Sequence, residues 1–115
     1  MQPVIADGLV ERARQRLGDA LDAAPTLTEL AQLTGLSRYQ LLRRYAVVYG
    51  MPPHAWLLQR RAERAHALIR NGAALADAAA TCGYADQSHL TRTFARHYGY
   101  TPGALKAAIS FKTAR

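Results

Sequence analysis

The sequence predicts an all-α fold of about seven helices, arranged as two helix-turn-helix units bridged by a long central helix. Three observations predict it. No segment alternates apolar and polar residues as a half-buried strand would. Leucine and alanine recur at helical spacing along most of the 115 residues, in a composition rich in Ala, Leu and Arg. One pattern, a short apolar helix, a glycine turn and a capped helix with a polar outer face, occurs twice.

Residues 1–6 read as a linker-like lead-in, and Asp7-Gly8 opens the first helix through side-chain capping. Leu9, Ala13, Leu17 and Leu21 set its inner face, Arg12, Arg14 and Arg16 its outer one, and it is expected to reach about Ala23 before Pro25 stops it. Thr26 or Thr28 caps a short helix through Leu30, Ala31 and Leu33, Gly35 supplies a positive-φ turn, and Ser37 caps a helix whose Leu41 and Tyr45 face inward. Gly50 ends that helix. Met51-Pro52-Pro53 starts the long one, since proline suits a first helical turn, and Asn71-Gly72 closes it about 18 residues later, a span of about 27 Å. Its apolar stripe reads as Ala55, Leu58, Ala62, Ala65 and Ile69, with Trp56 a core anchor towards the first unit.

The second unit follows the same plan. Leu75 to Cys82 is a short Ala-rich helix, Gly83 makes the turn, and Asp86 caps a helix to Tyr98 with Leu90 and Phe94 inside. A last helix is expected from Gly103 to about Ile109, ahead of a basic tail. The chain therefore divides into a lead-in at 1–6, a first lobe at 7–50, a connecting helix at 51–72 and a second lobe with the tail at 73–115.

The repeat is visible by sliding the chain on itself. A shift of 48 residues aligns Ala31 with Ala79 and Gly35 with Gly83; a shift of 49 aligns Leu41 with Leu90, Arg43 with Arg92, Tyr45 with Phe94 and Gly50 with Gly99. The one-residue change falls in the turn, where insertion costs least. Two such units can present two reading helices to successive major-groove segments on one side of DNA, about 34 Å apart. The outward residues of the copies differ, so the site they read is expected to be asymmetric.

A formal charge of +7 makes the surface attractive to polyanions. From Gln87 to the end every charge is basic, and Arg38, Arg43, Arg44, Arg60 and Arg61 fall in a stretch free of Asp and Glu. The single cysteine, Cys82, excludes an internal disulfide framework and reads as a buried core thiol, and no apolar run approaches the roughly 20 residues of a membrane span. A cytoplasmic place is expected. His54, His66 and His97 share no ligand spacing, so no metal or cofactor is expected. No phosphate-cradling glycine loop, paired carboxylates or base-assisted nucleophile points to catalysis, and the chain is read as not an enzyme.

The stretches GLSRYQLLRRY, GMPPHAWLLQRRAERAHALI and CGYADQSHLTRTFARHYGYTPGAL closely resemble the DNA-binding domain of the AraC/XylS family of bacterial transcription regulators. The likeness covers Leu9 to about Ile109. It implies sequence-specific binding to double-stranded DNA by two major-groove helices, contact with RNA polymerase, an activator's role at the nucleoid, and a monomeric segment. It also implies a sensor or dimerisation domain that this stretch does not supply, which favours a fragment of a longer regulator over a self-sufficient short one.

Carried over by residue, base contacts fall to Arg38, Tyr39, Leu42 and Arg43 in the first reading helix and to Gln87, Ser88, His89 and Arg92 in the second. Arginine's fork matches guanine O6 and N7, and glutamine can pair with adenine. Leu42 departs from the polar residue often found there and would meet a thymine methyl. Phosphate contacts fall to Arg44, Arg96 and Lys106 and to the helix starts at Ser37 and Asp86. The rival reading is a basic helical adaptor for a protein partner, which would show neither steep salt dependence nor sequence preference.

Overall fold

The computed structural model describes residues 7–113, with side chains through residue 110; the lead-in at 1–6 and the end of the basic tail lie outside the described residues. Among the described residues there are seven α-helices and no strand: α1 (Gly8–Asp19), α2 (Leu27–Thr34), α3 (Arg38–Tyr49), α4 (Pro53–Arg70), α5 (Leu75–Thr81), α6 (Gln87–Tyr98) and α7 (Pro102–Thr113). They divide into two compact units between Leu58 and Gln59, and α4 runs through the division.

Local chemistry explains most of the boundaries. The Asp7, Thr26, Ser37 and Asp86 side chains accept the backbone N–H of Val10, Glu29, Gln40 and His89 and so start α1, α2, α3 and α6. α3 has a full capping box, Ser37 with Gln40. Proline opens α4 and α7, and Thr101 Oγ1 accepts Ala104 N–H at 3.0 Å at the start of the latter. α7 thus begins one residue before the expected Gly103 and runs beyond Ile109.

The turns inside the two helix pairs depend on Gly35 and Gly83, at φ of 75° and 85°, where a side chain would be strained. α1 is shorter than its periodicity suggests. Ala20 leaves the helical region (φ −142°, ψ 59°) after Gly18 and Asp19, two poor helix formers, and Leu21–Ala23 continues only as a 3-10 turn.

The first core packs Val10, Ala13 and Leu17 of α1 against Leu30 and Ala31 of α2, Leu41 and Tyr45 of α3, and Trp56 and Leu57 of α4. The stripe expected on α4 is therefore out of phase at its start. Trp56 is buried as the expected anchor, but Leu57 is buried where Leu58 was expected, Ala55 is half-buried and Leu58 is 41% exposed. Tyr45 and Trp56 fill the volume next to the helix start, and a bulky pair there outweighs the regular spacing. The second core comprises Ala65, Ile69, Ala78, Ala79, Cys82, Tyr84, Leu90 and Phe94. Cys82 is fully buried, as its sequence position suggests, and burial pushes its thiol above the ordinary range, which disfavours the reactive thiolate.

Gly18 offers a direct test of this packing. A Cβ added there would meet only the Trp56 ring, at an ordinary 3.6 Å, on a helical backbone without positive φ. Gly18→Ala is expected to stabilise the first unit by about 0.5–1 kcal/mol in urea unfolding. A lower midpoint would mean that the Trp56 contact is repulsive.

Candidate nucleic-acid interface

On α3, burial of Leu41 and Tyr45 turns Arg38, Tyr39 and Arg43 to solvent, and all three are exposed. Leu42 stands beside them but is only 37% exposed, because it also borders an apolar recess lined by Leu17, Leu27, Leu30 and Leu57. Only part of its surface is left for a thymine methyl. On α6, burial of Leu90 and Phe94 leaves Gln87, Ser88, Arg92 and Arg96 exposed, while His89 is half-buried. Thr91, the counterpart of Leu42, donates its hydroxyl to the Gln87 carbonyl at 3.0 Å.

The arginines separate into two classes. Among the described residues, ion pairs engage Arg14, Arg44 and Arg60, and none engages Arg38, Arg43, Arg92 or Arg96. These last four stand as solvated cations on helices that expose polar faces. Such an arrangement suits a polyanion, because its phosphates can be neutralised without first breaking an internal salt bridge.

Two residues expected to hold phosphate are engaged elsewhere. Arg44 donates from Nε and Nη2 to the two carboxylate oxygens of Asp7, at 2.7 and 2.8 Å. Lys106 Nζ donates to the Ala73 carbonyl at 2.9 Å. At the helix starts, Ser37 Oγ and Asp86 Oδ1 are occupied as caps, at 3.1 and 2.7 Å from the N–H groups of Gln40 and His89. The Asp86 carboxylate itself repels phosphate. The donors open to an anion at the start of α6 are the first backbone N–H groups, of Gln87 and Ser88.

Asp7 belongs to a polar tie between α1 and α3 that spacing does not announce. Besides the Asp7–Arg44 pair, Tyr49 donates its hydroxyl to Glu11, which also accepts from Arg14 Nε at 3.0 Å. The Arg44 guanidinium holds the Asp7 carboxyl below its ordinary range. Arg14, then Tyr49, holds Glu11 at about 2. Both folded values lie below those of the unfolded chain, about 3.9 and 4.3, so the stabilisation is complete above these and is lost as pH falls towards about 2. Thermal midpoints should therefore drop on acidification through this window, and less steeply in Tyr49→Phe; a flat profile would dissolve the tie.

A family described as "Helix-turn-helix domain" matches residues 30–108. The virulence regulon transcriptional activator VirF of Yersinia enterocolitica is 34% identical over 77 residues, 66% of this chain and 28% of that protein, so the chain spans under a third of the relative's length. Among solved structures, the DNA-binding domain of AdpA, a global transcriptional factor determined in complex with a target DNA, superposes with a TM-score of 0.82 at 26% identity, covering 96% of this chain and 99% of that one. A regulator from Chromobacterium violaceum, described by its AraC-type DNA-binding domain, superposes at 0.78 with 22% identity over 88% and 91% of the two chains, a likeness of fold. With the matched segment running from α2 into α7 and spanning both helix-turn-helix pairs, the chain belongs to the AraC-type helix-turn-helix family of transcription regulators.

Proposed function

We propose that this domain reads an asymmetric stretch of double-stranded DNA by placing α3 and α6 in successive major-groove segments. The observation that carries it is the duplicated exposed face: Arg38, Tyr39 and Arg43 on α3, and Gln87, Ser88 and Arg92 on α6, with arginines free of internal ion pairs among the described residues. The AdpA domain, similar over nearly the whole chain, was solved on its target DNA, which supports the same use here. Arg43 and Arg92 are the principal base readers. Arg96 and the first N–H groups of α6 hold phosphate, whereas Arg44 and Lys106 act within the fold.

Within a longer regulator, this segment would bind as a monomer, contact RNA polymerase and act as an activator in the bacterial cytoplasm, with a sensor or dimerisation domain outside it. No helix among the described residues is long and apolar enough to cross a membrane. Selection of bound duplexes from a random library at moderate salt tests the reading. Two enriched blocks about one helical turn apart are expected. One block would reduce one unit to a backbone clamp, and no enrichment would favour the adaptor reading.

A further inference from the structure

The third residue of each reading helix is bonded back to the chain just before it. In α3, Gln40 Oε1 accepts the backbone N–H of Ser37 at 3.0 Å. The equivalent residue of α6, 49 positions on, is His89, whose Nδ1 accepts the backbone N–H of Ala85 at 3.1 Å. The imidazole also stands edge-on to Tyr84, with centroids 5.4 Å apart and planes at 78°. A backbone amide can only donate, so each back-bond fixes the polarity of the tip that is left. Gln40 turns its oxygen inward and its NH2 outward. His89 must keep Nδ1 bare, which places the proton of the neutral ring on Nε2.

We infer that Gln40 and His89 are matched donor-only contacts, each offering an N–H to an acceptor atom of the DNA. The inference rests on the DNA-binding reading above and adds the chemistry that the two positions accept. The acceptors open to them are phosphate oxygens and, on base edges, guanine N7 and O6, adenine N7 and thymine O4; the amino groups of cytosine and adenine are excluded. Bidentate adenine readout needs an amide's oxygen and nitrogen presented to the base together, and the back-bond turns the Gln40 oxygen towards Ser37 N–H instead. Gln87, with no such back-bond among the described residues, keeps both. Neither tip carries a formal charge, so its contact adds nothing to counterion release.

Two variants remove the outward donor while keeping the back-bond. His89→Asn sets an amide oxygen near the place of Nδ1 and has no donor at that of Nε2. Gln40→Glu keeps an oxygen on Ser37 N–H and preserves the capping box in its Ser-x-x-Glu form, so thermal stability is held or raised. Each is titrated by fluorescence anisotropy against a library-selected duplex and an unrelated one at several salt concentrations. His89→Asn is expected to weaken the selected duplex about three- to tenfold with an unchanged salt slope. Loss confined to duplexes with an acceptor edge at one position identifies a base, and equal loss on all duplexes identifies a phosphate. Gln40→Glu is expected to bind less tightly even at high salt, where simple repulsion is screened.

Wild-type affinity of both variants for both duplexes would overturn the inference and leave the two side chains as turn staples. Imidazole 15N spectra of the free protein read the tautomer without any DNA: protonated Nε2 with bare Nδ1 is expected, and the reverse overturns the His89 assignment. If the unaltered chain binds neither duplex, the DNA reading itself fails, and the spectra still decide the tautomer.

Discussion

Arg92→Ala is expected to flatten sequence preference at one position of the bound site by about 1–3 kcal/mol, roughly 5- to 150-fold, while leaving the other block intact. The reason is geometric. Arg92 is exposed on the face opposite Leu90 and Phe94, and no internal carboxylate holds its guanidinium among the described residues. Arg43→Ala should do the same within the other block. Arg96→Ala differs: it should weaken every duplex alike and lower the salt slope by about 1, as loss of a phosphate contact does. Equal losses on all sequences for all three variants would remove the division between reading and clamping.

Phe94→Ala is expected to destabilise the second unit by about 3–5 kcal/mol. Phe94 is fully buried, lies 4.7 Å from the Tyr98 ring and stacks with His66 at 5.8 Å with planes 7° apart. A small unit has no reserve for such a cavity, since whole domains are stable by only about 5–15 kcal/mol. Denaturant unfolding followed by ellipticity measures the loss, and Phe94→Leu should recover most of it because it restores most of the volume. A loss below about 1 kcal/mol would mean that the surrounding side chains collapse into the space.

What the sequence made legible was local. The caps at Thr26, Ser37 and Asp86 act on N–H groups three residues away, and Leu41, Tyr45, Leu90 and Phe94 repeat at the spacing that one helix face requires. The seven-helix order and both outward faces followed from these. The internal partners of Arg44 and Lys106 were not legible, because Asp7 lies 37 residues back from the one and Ala73 33 residues back from the other. In the linear chain both look like unoccupied cations. Leu58 failed for a different reason: its periodicity with Ala62, Ala65 and Ile69 is sound, but the aromatic volume of Tyr45 and Trp56 decides which side the start of α4 buries. Gln40 was within reach, since Ser37 followed three residues later by Gln is a capping-box pattern.

Trp56 is the only tryptophan in the chain, and it is 9% exposed within the first core, 6.4 Å from the Tyr45 ring. Indole emission excited above the tyrosine band therefore comes from the first unit alone, whereas far-ultraviolet ellipticity counts the helices of both. Coincident fluorescence and ellipticity curves would define one cooperative melting body, and separated curves two that melt independently. The molecule carries its own optical reporter of whether a regulator with two reading helices gains or loses them together.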